Sequence, residues 1–197
     1  MHDYLPRMLS CTREEYPRPR LLLSEQKTTT LIGRLLVGAL DAALLALPAT
    51  ADGLTTTPLF FEPFSLACPA GHCLENLPSL RLQDLEGDDL LLLEEGHCLR
   101  DQALSLCPPQ PNLRTRHTTS LETPWHMIAA GEGYSLLPLL SLRGRDAVAG
   151  LVASRPFEDP TVGRTIGLAW RASDPRDPEF RQLAEFLRRD LPDGVRA

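Results

Sequence analysis

The 197-residue chain is short of positive charge: 20 Lys and Arg stand against 26 Asp and Glu, a formal net charge of −6. A surface that holds nucleic acid by neutralising phosphates needs a clustered excess of Lys and Arg, so any DNA contact is expected outside this chain. Cysteine is also scarce. Five of them, an odd number at scattered spacings, exclude a structural disulfide framework and leave metal binding, catalysis or redox sensing as roles for a thiol. The start, "MHDYLPRMLS", lacks the charged, apolar and small-residue order of a secretory signal, and the expected setting is the cytoplasm, where thiols are mostly reduced. Long apolar runs are missing as well: the longest, Leu35–Pro48, is interrupted by Gly38 and Asp41 and is too short for a membrane span. Internal repeats and low-complexity segments are absent. What is present is ordinary globular composition, 43% hydrophobic and 23% charged, enough for one good core or two small ones.

Helical and strand-like patterns alternate, which predicts an α/β chain. Arg20–Gln26 reads as a strand, Thr28–Gly38 as a helix with threonine at its start and glycine at its end, and Asp41–Pro48 as a buried strand stopped by proline. Leu59–Pro69 reads as a strand interrupted at Pro63, a place for the chain to leave one sheet for another. After a polar stretch come the apolar run Asp88–Glu95, a helix bracketed by Cys98 and Cys107, and the proline-rich loop Cys107–Asn112. Thr119 stands three residues before Glu122, a capping-box spacing ahead of a helix that ends at glycines. Tyr134–Pro138 reads as a short buried strand, residues 139–163 as a surface-like stretch, and Arg164–Ala172 as a strand. Pro178–Leu191 is an amphipathic helix. The expected organisation is two small lobes, residues 1–62 with 164–197 and residues 63–163, each a small mixed sheet flanked by helices. Ligands in such folds sit in the cleft between lobes.

Cys98 carries the most specific chemistry. It sits where a helix starts after Gly96, so the positive end of the helix dipole, Arg100 and the His97 imidazole all favour thiolate, while Glu94 and Glu95 oppose it. A small buried thiol in a core helix is the plain alternative. A second thiol at Cys107 favours a reversible sensor, because sulfenic acid is lost to further oxidation unless another thiol condenses with it. Nine helical residues rise about 13.5 Å, whereas a disulfide needs Cα atoms roughly 4.4 to 6.8 Å apart. Joining the two therefore requires the intervening helix to unwind.

The segment "GHCLRDQALSLC" closely resembles the redox segment of the OxyR branch of the LysR-type transcriptional regulators, which sense hydrogen peroxide. "GALDAALLALP", "LFFEPF", "TSLETPWHMIAAGEGYSLLP" and "RTIGLAWR" are similar to that family's regulatory domain in the same order. The resemblance implies a two-lobed, periplasmic-binding-protein-like fold, with the family's N-terminal DNA-binding domain absent from this chain. It implies that Cys98 is the peroxide-reactive cysteine and Cys107 the resolving one, that His97, Arg100 and Asp101 support the thiolate, and that Thr28 contacts peroxide or an ordered water. It further implies no cofactor and no metal, a homodimer of regulatory domains within a full-length tetramer, promoter DNA and RNA polymerase reached through the full-length protein, and re-reduction by a thiol reductant such as glutaredoxin. Pro124 and Trp125, and the Pro108–Pro109 pair after Cys107, depart from the family pattern.

Two other functions compete: an effector domain binding a small metabolite between the lobes with incidental cysteines, and a thiol peroxidase whose Cys98 turns over. No cofactor motif supports an enzyme. Cys68, His72 and Cys73 in "ACPAGHC" fit no standard zinc spacing, even with His97 and Cys98 added, and read as a loop with incidental thiols. Cys11 reads as an ordinary helix residue, and the threonine run Thr28–Thr30 as either a helix cap or a ligand contact.

Overall fold

The computed structural model describes residues 4–15, 21–49, 51–85, 89–93, 98–106, 116–118, 122–143 and 149–197. The chain divides into two compact units, Met1–Glu62 with Arg164–Ala197, and Pro63–Gly163. The architecture is mixed α/β, a five-stranded sheet and a separate two-stranded parallel pair, with helices.

In the first unit, α1 (Tyr4–Glu15) precedes α2 (Thr28–Leu36), β1 (Ala42–Leu47) and the first half of β2 (Leu54–Pro69). Late in the chain, β7 (Gly163–Arg171) and α5 (Asp177–Arg189) complete it. Leu31, Ile32 and Leu35 share one face of α2 and pack with Ala43, Leu45 and Ala169, the apolar spacing of an amphipathic helix on a sheet. β1 pairs antiparallel with β7 from Ala42 opposite Trp170 to Leu47 opposite Thr165. On α5, Phe180, Ala184 and Leu187 are buried. Phe180 meets fully buried Trp170 with ring centroids 5.6 Å apart, and the Trp170 indole N–H donates to Asp177 at 3.0 Å. Asp174 is buried and accepts hydrogen bonds from Arg176, which hold its carboxyl down to about 2.

The second unit begins within β2, which runs unbroken through Pro63. From Phe64 onward β2 pairs antiparallel with β5 (Ser135–Pro138) on one side and, from Ser65, with β6 (Val152–Pro156) on the other. A parallel pair, β3 (Leu91–Leu93) with β4 (Arg116–Thr118), is connected across α3 (Cys98–Leu106), while α4 (Glu122–Ala129) leads into β5. Tyr134 ties β3 to the strand after α4: Leu91 N–H donates to its carbonyl at 2.8 Å and its own N–H to Asp89 at 3.0 Å. The core joins Phe64, Leu66, Leu80, Leu90, Leu92, Ala103, Tyr134 and Leu136.

Several expectations change. Leu21–Gln26 forms no strand; these residues are exposed, Leu22 by 91%. An apolar run becomes a strand only where a neighbour pairs its backbone, and among the described residues none does. β2 starts five residues earlier than its apolar pattern, at Leu54, and Pro63 does not interrupt it. The surface-like stretch contains β6, whose alternating half-exposed residues lack the apolar signature of an inner strand. Thr119 of the expected capping box and the Cys107–Asn112 loop lie outside the described residues. Among the described residues, no helix is long and apolar enough to cross a membrane.

Candidate functional site

The cysteine helix fixes the site. α3 begins at Cys98 and its last residue is Leu106, one position before Cys107. Cys98 and Asp101 are described in backbone only, and His97 and Cys107 lie outside the described residues. A thiol on the first residue of a helix stands among N–H groups that have no partner within the helix, where the helix dipole stabilises its anion. The strand preceding it in sequence, β3, is buried at Leu91 and Leu92.

The rest of α3 is tied to the core by few groups. Ala103 is buried, and Leu104 and Leu106 pack partly against the same cluster. Arg100 is half-buried. The Ser105 hydroxyl donates back to the Gln102 carbonyl at 2.8 Å, a local bond that competes with helix geometry. The Gln102 side-chain oxygen is buried with no hydrogen-bond partner among the described residues. At the helix end, Ser105 and Leu106 border a cavity of about 620 Å³ together with Arg81, Leu82, Phe157, Glu158 and Val162. Beside it, hydrogen bonds from Arg81 at 2.6 Å and Ser79 at 2.7 Å hold the Glu158 carboxyl below the usual carboxylate range. The helix that separates the two thiols therefore ends partly against the core and partly against a cavity.

Thr28 is half-buried and is the first residue of α2, in the first unit. Lys27, not a threonine, occupies the N-cap, with extended backbone and no side-chain cap bond. The threonine run thus fills the first turn, and the cap reading is corrected. Cys11 lies half-buried on α1, its thiol 3.5 Å from Asp190. Cys68 is fully buried at the end of β2, where burial first, then Glu75 and Cys73, pushes its thiol up to about 11. Cys73 is exposed, its sulfur 3.7 Å from His72 Nδ1. Among the described residues no group of three or more His, Cys, Asp or Glu side chains is placed to hold a metal ion.

Sequence reasoning missed one buried charged pair. Glu62 is fully buried and Arg164 nearly so, with Arg164 Nη2 2.7 Å and Nε 2.8 Å from Glu62 Oε2. A glutamate set among phenylalanines and a proline in "LFFEPF" was its only local signal.

The sequence matches the LysR substrate binding domain family over residues 1–192. It is 39% identical over 197 residues to a probable hydrogen peroxide-inducible genes activator of Streptomyces viridosporus, covering 95% of this chain and 62% of that protein. It is also 39% identical to the DNA-binding transcriptional dual regulator OxyR of Escherichia coli K12, covering 93% and 61%. The chain thus spans about 62% of the length of such relatives. Among solved structures, the reduced form of the OxyR regulatory domain from Pseudomonas aeruginosa superimposes with a TM-score of 0.84 at 38% identity, over 95% of this chain and 92% of that one. A hydrogen-peroxide-bound cysteine mutant of Corynebacterium glutamicum OxyR gives 0.87 at 36% identity, over 94% and 60%.

Proposed function

The chain belongs to the LysR substrate-binding domain family, and from that premise we propose that it is the hydrogen-peroxide-sensing regulatory part of a LysR-type transcription factor. Cys98 and Cys107 are its reversible dithiol. The observation that carries this reading is helix α3, which starts on one cysteine and stops one residue short of the other. The names of the relatives, peroxide-inducible activators, point the same way.

The chemistry is a two-electron oxidation. Cys98 thiolate attacks one peroxide oxygen, the O–O bond breaks, and the departing hydroxide takes a proton to become water. Cys98 is left as sulfenic acid, whose sulfur the Cys107 thiol attacks; the S–O bond breaks and a second water leaves. His97, Arg100 and Asp101 support the thiolate, and Thr28 contacts peroxide or an ordered water. The disulfide closes a loop of about ten residues, worth on the order of 2 to 3 kcal/mol in the chain-entropy model. Unwinding α3 and lifting Leu104, Leu106 and Ala103 from the core costs a similar amount. Near balance permits reversal by a cellular thiol reductant such as glutaredoxin. In the cytoplasm, the domain pairs as a homodimer within a full-length tetramer, and promoter DNA and RNA polymerase are reached through the rest of the full-length protein.

Intact mass with thiol counting, before and after one equivalent of peroxide, tests this. The expected product has two thiols fewer and a Cys98–Cys107 crosslink, with hydrogen exchange raised across residues 96–112. In Cys107→Ser the product is Cys98 sulfenic or sulfinic acid instead. Unchanged thiols at Cys98 and Cys107, or equal protection in both redox forms, would overturn the switch. Sustained peroxide consumption with a thiol reductant would make the protein a thiol peroxidase.

A further inference from the structure

The thiols that the peroxide reading leaves unused stand on either side of one tight turn. Cys68 ends the buried part of β2, and Pro69-Ala70-Gly71-His72 reverses the chain, with His72 N–H donating to Pro69 carbonyl at 3.1 Å. Gly71 adopts φ +81° at the third position, the glycine-requiring conformation of a type II turn. Such a turn brings its end residues, Pro69 and His72, within about 7 Å; Cys68 and Cys73 flank them, and Cys73 is near enough to help raise the Cys68 thiol. Leu74, next to Cys73, packs in the same apolar cluster as Cys68, so the chain leaving the turn comes back onto the strand that entered it.

The two thiols differ in the way that an attacking and a resolving cysteine differ. Cys73 is exposed and 3.7 Å from His72 Nδ1, and that nitrogen also accepts the Leu74 N–H at 3.3 Å, which makes it an acceptor shared between that N–H and the thiol. Cys68 is sealed in the core with its proton held on by burial. Glu75 is fixed nearby by accepting the Gly71 N–H at 2.6 Å, and Arg155 holds the same short 3-10 turn through the Glu75 and Leu77 carbonyls. The turn is thus a defined structure, with one thiol in solvent and one beneath it.

We propose that Cys73 and Cys68 form a second peroxide-oxidisable dithiol, separate from Cys98 and Cys107, in which His72 takes the proton from Cys73. Cys73 thiolate attacks hydrogen peroxide, the O–O bond breaks, and hydroxide leaves to be protonated to water. The resulting sulfenic sulfur is then attacked by Cys68 as the turn flexes inward; the S–O bond breaks, water leaves and the disulfide closes. Two thiols are oxidised and one peroxide becomes two waters.

The decisive protein is the full chain carrying Cys98→Ser and Cys107→Ser, which removes the first dithiol, so failure here does not touch the reading of Cys98. Treated with hydrogen peroxide and digested with trypsin, the peptide from Leu35 to Arg81 is expected to lose two hydrogens and to resist fragmentation between Cys68 and Cys73. Adding Cys68→Ala should convert the same peptide to one bearing Cys73 sulfinic acid. Adding His72→Asn instead should slow alkylation of Cys73 several-fold near neutral pH, while alkylation of Cys11 in the same protein is unchanged. Two alkylatable thiols after excess peroxide would overturn the proposal. So would Cys73 sulfinic acid formed with Cys68 still present, or pairing of either thiol with Cys11.

Discussion

At the scale of single residues, burial decides which charges matter. Arg81–Glu158 and Arg181–Asp177 are both more than a third exposed on at least one partner, and such pairs contribute little because water screens them. Glu62–Arg164 is different, with side chains 0% and 10% exposed. Removing one member of a buried pair strands the other charge in the interior, whereas replacing both with apolar groups avoids that penalty. Glu62→Leu is expected to destabilise the protein by about 3 kcal/mol in urea unfolding, and Glu62→Leu combined with Arg164→Met should recover most of it. A single variant as stable as the double would show that the charges are not coupled.

At the scale of elements, the support behind α3 depends on a glycine. Gly133 has φ +143°, and a Cβ built there would lie 2.2 Å from the Asp89 carbonyl oxygen. That oxygen accepts the Tyr134 N–H, and the Tyr134 carbonyl in turn accepts from Leu91. A side chain therefore forces apart the backbone bonds that hold β3, the strand leading to Cys98. Gly133→Ala is expected to cost about 2 to 3 kcal/mol, a fall in Tm of about 5 to 10 °C for a chain of this size. Gly131→Ala, whose added Cβ meets nothing within 4 Å, should cost only the left-handed backbone term, about 1 kcal/mol. Equal shifts in the two variants would remove the steric argument.

At the scale of the whole molecule, the exposed apolar residues are concentrated in the first unit. Leu22 is 91% and Val37 78% exposed, with Leu21, Leu23 and Leu36 beside them in sequence. The proposed homodimer is expected to use these exposed residues, because large exposed apolar surface marks association sites. Sedimentation of the wild-type protein at micromolar concentration is expected to show a dimer whose sedimentation coefficient differs between redox forms. Leu22→Glu should shift it toward monomer. Monomer alone in both redox states of the wild type would count against the assembly.

The sequence by itself determined what depends on neighbours along the chain. The helical spacing on α2 and α5, the glycine after α2, the proline at the start of α5 and the buried strands β1, β5 and β7 were legible because apolar periodicity and cap residues are local signals. The proposed pairing of Cys98 with Cys107 rests on a short motif and its resemblance, which is also a local signal. Tertiary structure alone decided the rest, because it depends on partners distant in sequence. Leu21–Gln26 looks the more strand-like of the two by composition, yet β6 has Leu66 and Cys68 to pair beside and Leu21–Gln26 has no such neighbour among the described residues. The ion pair of Glu62 and Arg164 joins residues 102 positions apart, beyond any local pattern. Cys68 and Cys73 are five residues apart and alike on paper; only the fold buries one in the core of the second unit and leaves the other exposed beside a histidine.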